Sequence, residues 1–169
     1  MARSLMVTGG AGFIGVNFVY HWAEAHPDDT VVVLDALTYA GNRLSLEPLE
    51  QAGRIRFTEG DICDADLVAQ IMADHDTDTV VHFAAESHVD RSITAPDAVI
   101  RTNLEGTHPL LAAARSAWLS GSGREHRFHH VPTDEVYGSG APAATASTEH
   151  TRSHPDHATP ARNPGTGPQ

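Results

Sequence analysis

The segment "RSLMVTGGAGFIGVNFVYHWAEAHP", residues 3–27, decides the fold. Its opening "RSLMVTGG" is a brief apolar run ended by glycines, which predicts a short buried strand. "GFIGVNFVYHWAEAHP" then predicts a helix with Phe13, Val16, Val19, Tyr20 and Ala23 near one face, closed by Pro27. Between the two, "TGGAGFIG" places Gly9, Gly12 and Gly15 three residues apart. At a strand-to-helix turn each has a use. Gly9 permits the tight turn, Gly12 lets the backbone approach a pyrophosphate, and Gly15 lets helix and strand pack closely. The helix N-terminus presents N–H groups to the anion. A purely structural tight loop is the alternative reading of the same glycines.

The next strand bears on that choice. "DTVVVLDAL", residues 29–37, is a continuous apolar run of the kind buried on both faces of a parallel sheet, and its end carries Asp35. Asp35 lies about 20 residues beyond Gly15, where a dinucleotide fingerprint places an acid on the adenosine ribose hydroxyls. An acid there repels a 2′-phosphate and the nearest basic residue is Arg43, so NAD is expected rather than NADP.

Further along, a polar helix is expected around residues 42–51, a strand over 54–61, and a helix over 64–75 with Asp64 as its N-cap. A fourth strand is expected over 77–85, a long helix over 95–119 that Pro109 would kink, and a fifth strand over 127–133. Strands alternating with helices predict an α/β fold, a doubly wound, Rossmann-like parallel sheet in the order 3-2-1-4-5. No internal repeat is found.

Composition bounds the rest. The 169 residues carry a formal charge of −11 and contain no lysine, which argues against nucleic acid and anionic membrane surfaces as partners. Cys63 is the single cysteine, so neither an internal disulfide nor a thiolate metal cluster is expected, and a reducing cytosol fits. The glycine-interrupted N-terminus is not read as a signal peptide, and no apolar run approaches a membrane span. Beyond Tyr137 there is no Val, Ile, Leu, Met, Phe, Trp, Tyr or Cys, so residues 139–169 are expected to be a disordered tail behind an incomplete domain of residues 1–138. Its histidines, His150, His154 and His157, offer no organised metal geometry.

Two further polar clusters fall at strand ends. Asp61 in "GDICD" could reach an adenine edge or serve as a cap or solvent-facing acid. In "VPTDEVYG", Thr133, Asp134 and Glu135 follow the fifth strand, on the sheet edge where such folds bind ligands. Adjacent carboxyls resist ionising together, so one can act as general acid and the other as base, the pairing that an elimination of water needs. A solvated acidic turn is the alternative.

The runs "TGGAGFIG", "LDALTYAGN", "HFAAESHVDRSI" and "TDEVYG", in this order and spacing, closely resemble the dTDP-glucose 4,6-dehydratases, a family of extended short-chain dehydrogenases/reductases, over residues 4–138. Epimerase relatives usually place small hydroxyl residues where this chain has Asp134 and Glu135. The resemblance implies NAD-dependent removal of water from dTDP-glucose to give the 4-keto-6-deoxy sugar. It also implies that Gly9, Gly12, Phe13, Ile14, Gly15, Asp35, Ala36, Leu37, Thr38, Asp61 and Ile62 line an NAD site. Ala84, Ala85, Glu86, Ser87 and, from the following helix, Thr102 complete it. Ser87 and Thr133 would hold the sugar, Thr133 at its 4-hydroxyl, while Glu135 removes the C5 proton and Asp134 protonates the departing 6-hydroxyl.

The chain also departs from the family pattern. A Tyr-x-x-x-Lys helix should follow "TDEVYG", yet there is no lysine and no tyrosine after Tyr137, and Pro132 stands where a serine is usual. "TEHT" resembles the family's acidic stretch, and the aperiodic residues after it are what a frame shift near Thr151 or another rewriting of the end would leave. Two functional classes follow: a dehydratase by descent, inactive as this chain, or a noncatalytic NAD-binding remnant that associates with intact subunits through an exposed sheet edge.

Overall fold

The structure is a computed structural model that describes residues 2–86, 96–119, 125–137, 146, 148 and 150–152. Its elements are β1 (Ser4–Thr8), α1 (Phe13–Ala25), β2 (Thr30–Asp35), a 3₁₀ turn (Arg43–Ser45), α2 (Glu47–Gln51), β3 (Arg56–Glu59), α3 (Ala65–Asp74) and β4 (Thr79–His82). After these come α4 (Pro96–Val99), a π-helical segment (Ile100–Glu105), α5 (Thr107–Leu119), β5 (Arg127–His130) and a 3₁₀ turn (Asp134–Tyr137).

The five strands form one parallel sheet in the order β3-β2-β1-β4-β5, as the alternating pattern predicts. Alternation along each strand divides the core into two layers. Met6, Val32, Leu34 and Val80 pack on Val68, Ile71 and Met72 of α3 and on Leu110 and Ala114 of α5. Leu5, Val7, Val31, Val33 and Val81 pack on Val19 of α1 and on Leu46 and Ile55. Apolar residues of β1 and β2 feed both layers, so these strands read as unbroken apolar runs.

Three details differ from the sequence expectation. In α1 the buried residues are Gly15, Val19 and Ala23, with Phe18 and Trp22 packed against that layer. Phe13 is 87% exposed, and Tyr20 also turns outward, its hydroxyl donating to the Ser45 carbonyl. Phe18 takes the expected aromatic place, 5.6 Å from the Trp22 ring and 5.2 Å from Phe83. The polar helix of residues 42–51 is two pieces, a 3₁₀ turn and α2, joined at the fully buried Leu46. The long helix is interrupted ahead of Pro109: the Gly106 N–H reaches back five residues to the Arg101 carbonyl at 2.8 Å. Pro109 itself sits in the first turn of α5, where its missing N–H is tolerated.

Asp64 caps α3 as expected, accepting from the Leu67 N–H at 3.0 Å. Among the described residues no helix is long and apolar enough to cross a membrane. The expected tail falls almost wholly outside the described residues.

Candidate dinucleotide site

Because all five strands run parallel, their C-terminal ends share one edge of the sheet. The glycine turn follows β1, Asp35 closes β2, Asp61 follows β3, Ala84 to Glu86 follow β4, and Thr133 follows β5. These sequence-predicted residues, scattered over the chain, are therefore brought to one edge by topology alone.

Gly9 adopts φ +69°, and a Cβ there would come within 2.6 Å of the Ala84 backbone nitrogen. Only glycine lets the turn press against the segment after β4. A Cβ on Gly12 would meet only the Gly9 carbonyl oxygen, at 3.3 Å, so the space over Gly12 is otherwise open. Gly12 is the N-cap of α1 with no capping side chain, which leaves first-turn N–H groups beside that open space. A cradle of free amides over a glycine is the arrangement that accepts a phosphate.

Asp35 is 8% exposed. Its Oδ2 accepts from the Ala11 N–H at 2.9 Å and its Oδ1 from the Leu37 N–H at 2.8 Å. The carboxylate thus holds the glycine turn on one side and the start of the next loop on the other. Leu37 adopts φ +48°, an uncommon conformation for a side chain of its size. The Asn42 N–H donates to the Ala11 carbonyl at 2.9 Å, so Ala11 is gripped through both of its backbone polar groups. An ionised carboxylate has about four lone-pair sites, which leaves Asp35 acceptor capacity for ligand hydroxyls.

Phe13, Ile14, Ala36, Thr38 and Ala85 are exposed along this edge, and Leu37, Ala84, Glu86, Thr102 and Thr133 are half-buried. Ile62 is a core side chain, packed where Gly106 passes. Asp61 is the acceptor of a local turn, with Oδ1 taking the Cys63 N–H at 2.9 Å, and its Oδ2 pairs with Arg101 at 3.1 Å. It is not a helix cap. Burial, then the adjacent Asp61, push the Cys63 thiol up. Asp134 and Glu135 have their backbone in the last 3₁₀ turn; their side chains, like all of Ser87, lie outside the described residues.

Sequence reasoning missed a buried polar chain behind this edge. His82, in β4, is 1% exposed. Its Nδ1 lies 2.6 Å from Thr8 Oγ1 and its Nε2 3.1 Å from Thr107 Oγ1. Asn103 accepts from the Glu86 N–H at 2.8 Å and donates to the Glu86 carbonyl at 3.0 Å. The available signal was weak: a histidine inside an apolar strand and four polar residues in "TNLEGT".

Residues 6–159 match the family model described as GDP-mannose 4,6 dehydratase. The chain belongs to this dehydratase family. It is 54% identical over 134 residues to a dTDP-glucose 4,6-dehydratase of Mycobacterium tuberculosis, a match covering 79% of this chain and 37% of the relative. It is 53% identical over 137 residues to dTDP-glucose 4,6-dehydratase 1 of Escherichia coli, covering 79% and 38%. Among solved structures, the dTDP-glucose 4,6-dehydratase of Streptomyces venezuelae with NAD bound superposes with a TM-score of 0.85 at 46% identity, covering 97% of this chain and 49% of that one. UDP-glucose 4-epimerase from Brucella ovis in complex with NAD superposes with a TM-score of 0.81 at 27% identity, covering 98% and 46%. The chain thus spans less than half the length of these dehydratase-family relatives.

Proposed function

We propose that this chain is the NAD-binding half of a dTDP-glucose 4,6-dehydratase. The observation that carries the reading is the pairing of Asp35 with Ala11, which sets an acid at the end of β2 beside a glycine turn with open space over Gly12. The residues fit the group: free first-turn amides for the pyrophosphate, and a carboxylate with spare acceptor capacity for the adenosine ribose. A carboxylate there disfavours a 2′-phosphate, so the dinucleotide is NAD.

Phe13 and Ile14, Asp35, Ala36, Leu37 and Thr38, Asp61 and Ile62, Ala84, Ala85, Glu86 and Ser87, and Thr102 would hold the dinucleotide. NAD, when bound, supplies the hydride acceptor for the sugar. The chain's own contribution to the dehydration is acid–base: Thr133 holds the 4-hydroxyl with help from Ser87, Glu135 takes the C5 proton, and Asp134 protonates the departing 6-hydroxyl. Similarity at 54% identity to named dTDP-glucose 4,6-dehydratases supports this substrate.

One observation favours a narrower role for the chain alone. These 169 residues contain no lysine, so by themselves they do not supply a Tyr-x-x-x-Lys pair. A missing general base commonly costs about 10²–10⁴ in rate. The isolated chain then binds NAD without turning the sugar over. Calorimetry with NAD and NADP, followed by incubation with dTDP-glucose and NAD and an alkaline absorbance reading for the 4-keto product, tests both parts. Binding of NAD and absence of product are expected. NADP bound at least as tightly overturns the cofactor assignment, and product that disappears in Glu135→Gln overturns the inactivity.

A further inference from the structure

The polar chain behind the sheet edge has a direction that its donors and acceptors determine. Thr107 Oγ1 lies 2.9 Å from the Asn103 carbonyl, which can only accept, so the Thr107 hydroxyl donates there. With its one proton committed, Thr107 must accept from His82 Nε2, which therefore carries the ring proton. A neutral ring leaves Nδ1 as an acceptor, and the Thr8 hydroxyl donates to it. The Thr8 oxygen in turn receives the Ala84 N–H at 3.4 Å. Every member has a partner in this arrangement alone. The chain runs from Ala84 through Thr8, His82 and Thr107 to Asn103, whose side-chain amide closes on both backbone polar groups of Glu86.

Both ends of the chain thus fall on the segment after β4, and the middle is anchored in β1, β4, α5 and the π-helical segment. That segment is also the one that Gly9 presses against, and the Phe83 N–H donates to the Thr8 carbonyl at 3.0 Å. We propose that His82, as the uncharged Nε2–H tautomer, is a positioning residue that locks Ala84 to Glu86 against the glycine turn and so shapes the dinucleotide cleft. The ring is buried away from the edge. It acts through Thr8 and Thr107, and its location under the cleft rather than in it follows from its burial. The effect on the dinucleotide rests on the NAD reading; the locking of the segment does not.

The test separates the two. Nitrogen-15 NMR of the His82 ring in the unliganded chain should show an unprotonated Nδ1 and a protonated Nε2; the opposite tautomer or a charged ring overturns the proposal. Amide hydrogen exchange of Ala84 and Glu86 should accelerate about tenfold in Thr107→Val, with exchange at Val7 in β1 changing less, and Thr107→Ser should restore wild-type protection. Equal acceleration at all three amides, or none at Ala84 and Glu86, overturns the positioning role. NAD calorimetry then reads the consequence: affinity should fall about tenfold in Thr107→Val and recover in Thr107→Ser. If the wild-type chain binds no NAD, the cofactor reading fails while the exchange data still decide the role of His82. If NAD binds and Thr107→Val leaves its affinity unchanged, the link from the lock to the cleft is overturned.

Discussion

The Asp35 carboxylate accepts the Ala11 backbone N–H at 2.9 Å across 24 residues of sequence, tying the last residue of β2 to the glycine turn after β1. The same side chain takes the Leu37 N–H, so removing it strands two donors. Asp35→Ala is expected to destabilise the chain by about 2–3 kcal/mol and Asp35→Asn by less, because an amide keeps one acceptor oxygen. Urea unfolding checks the order. The preference for NAD over NADP should weaken in both variants, measured by calorimetry below the unfolding midpoint.

Gly9 and Gly12 should separate under substitution. Gly9→Ala places a Cβ at positive φ against the Ala84 backbone and is expected to cost at least about 2 kcal/mol. Gly12→Val sets its Cβ 3.3 Å from the Gly9 carbonyl oxygen and the rest of the side chain into the space over the turn, so it should lower the melting temperature less than Gly9→Ala while abolishing NAD binding. Thermal melts and calorimetry on both proteins test this. A Gly12→Val chain that binds NAD normally would remove the cradle from the site.

Acid should weaken the fold through His82. Burial first, and then the neighbouring His130 ring, lower its pKa from 6.5 to about 3. Between those values the unfolded chain binds a proton that the folded chain excludes. The stability that the neutral ring contributes is therefore complete above about pH 6.5 and is lost as pH falls toward about 3, by up to about 1.4 kcal/mol per pH unit. His130 is lowered too and acts in the same sense. Urea midpoints followed from about pH 7.5 to about pH 4 should fall less steeply in His82→Asn than in the wild type.

Cys63 should be a slow thiol. Burial and Asp61 raise its pKa, and its Sγ–H donates to the Arg101 carbonyl at 3.5 Å. Alkylation by iodoacetamide near neutral pH is expected to run several-fold slower in the folded chain than in urea, since the thiolate is the reactive species. Equal rates would show that the thiol is free.

Much of this protein is determined by local sequence. The apolar runs of β1 and β2, the spacing of Gly9, Gly12 and Gly15 and the cap at Asp64 all act over one or two turns of chain, and each is found where its pattern places it, as is the acid at the end of β2. Parallel strands joined by helices then put every strand's C-terminal end on one edge, so the grouping of the site followed from the order of elements. Local pattern failed where packing chose between equivalent residues. Phe13 and Tyr20 fit the helical period of α1 about as well as Phe18 and Trp22, and contact with Phe83, from the far side of the sequence, selected the latter.

The polar chain around His82 belongs wholly to the tertiary structure. Thr8 and His82 are 74 residues apart, and His82 and Thr107 a further 25. A histidine in an apolar strand announces only that it must find partners once buried. Which hydroxyls supply them, and therefore which ring nitrogen holds the proton, depends on β1 pairing with β4 in a register that sets Thr8 beside His82. It depends equally on the π-helical segment, which ends where Thr107 can reach both the ring and the Asn103 carbonyl. The helical period and the glycine spacing are properties of adjacent residues, and the sequence contains them outright. A donor–acceptor order is a property of atoms that meet only after the sheet has formed.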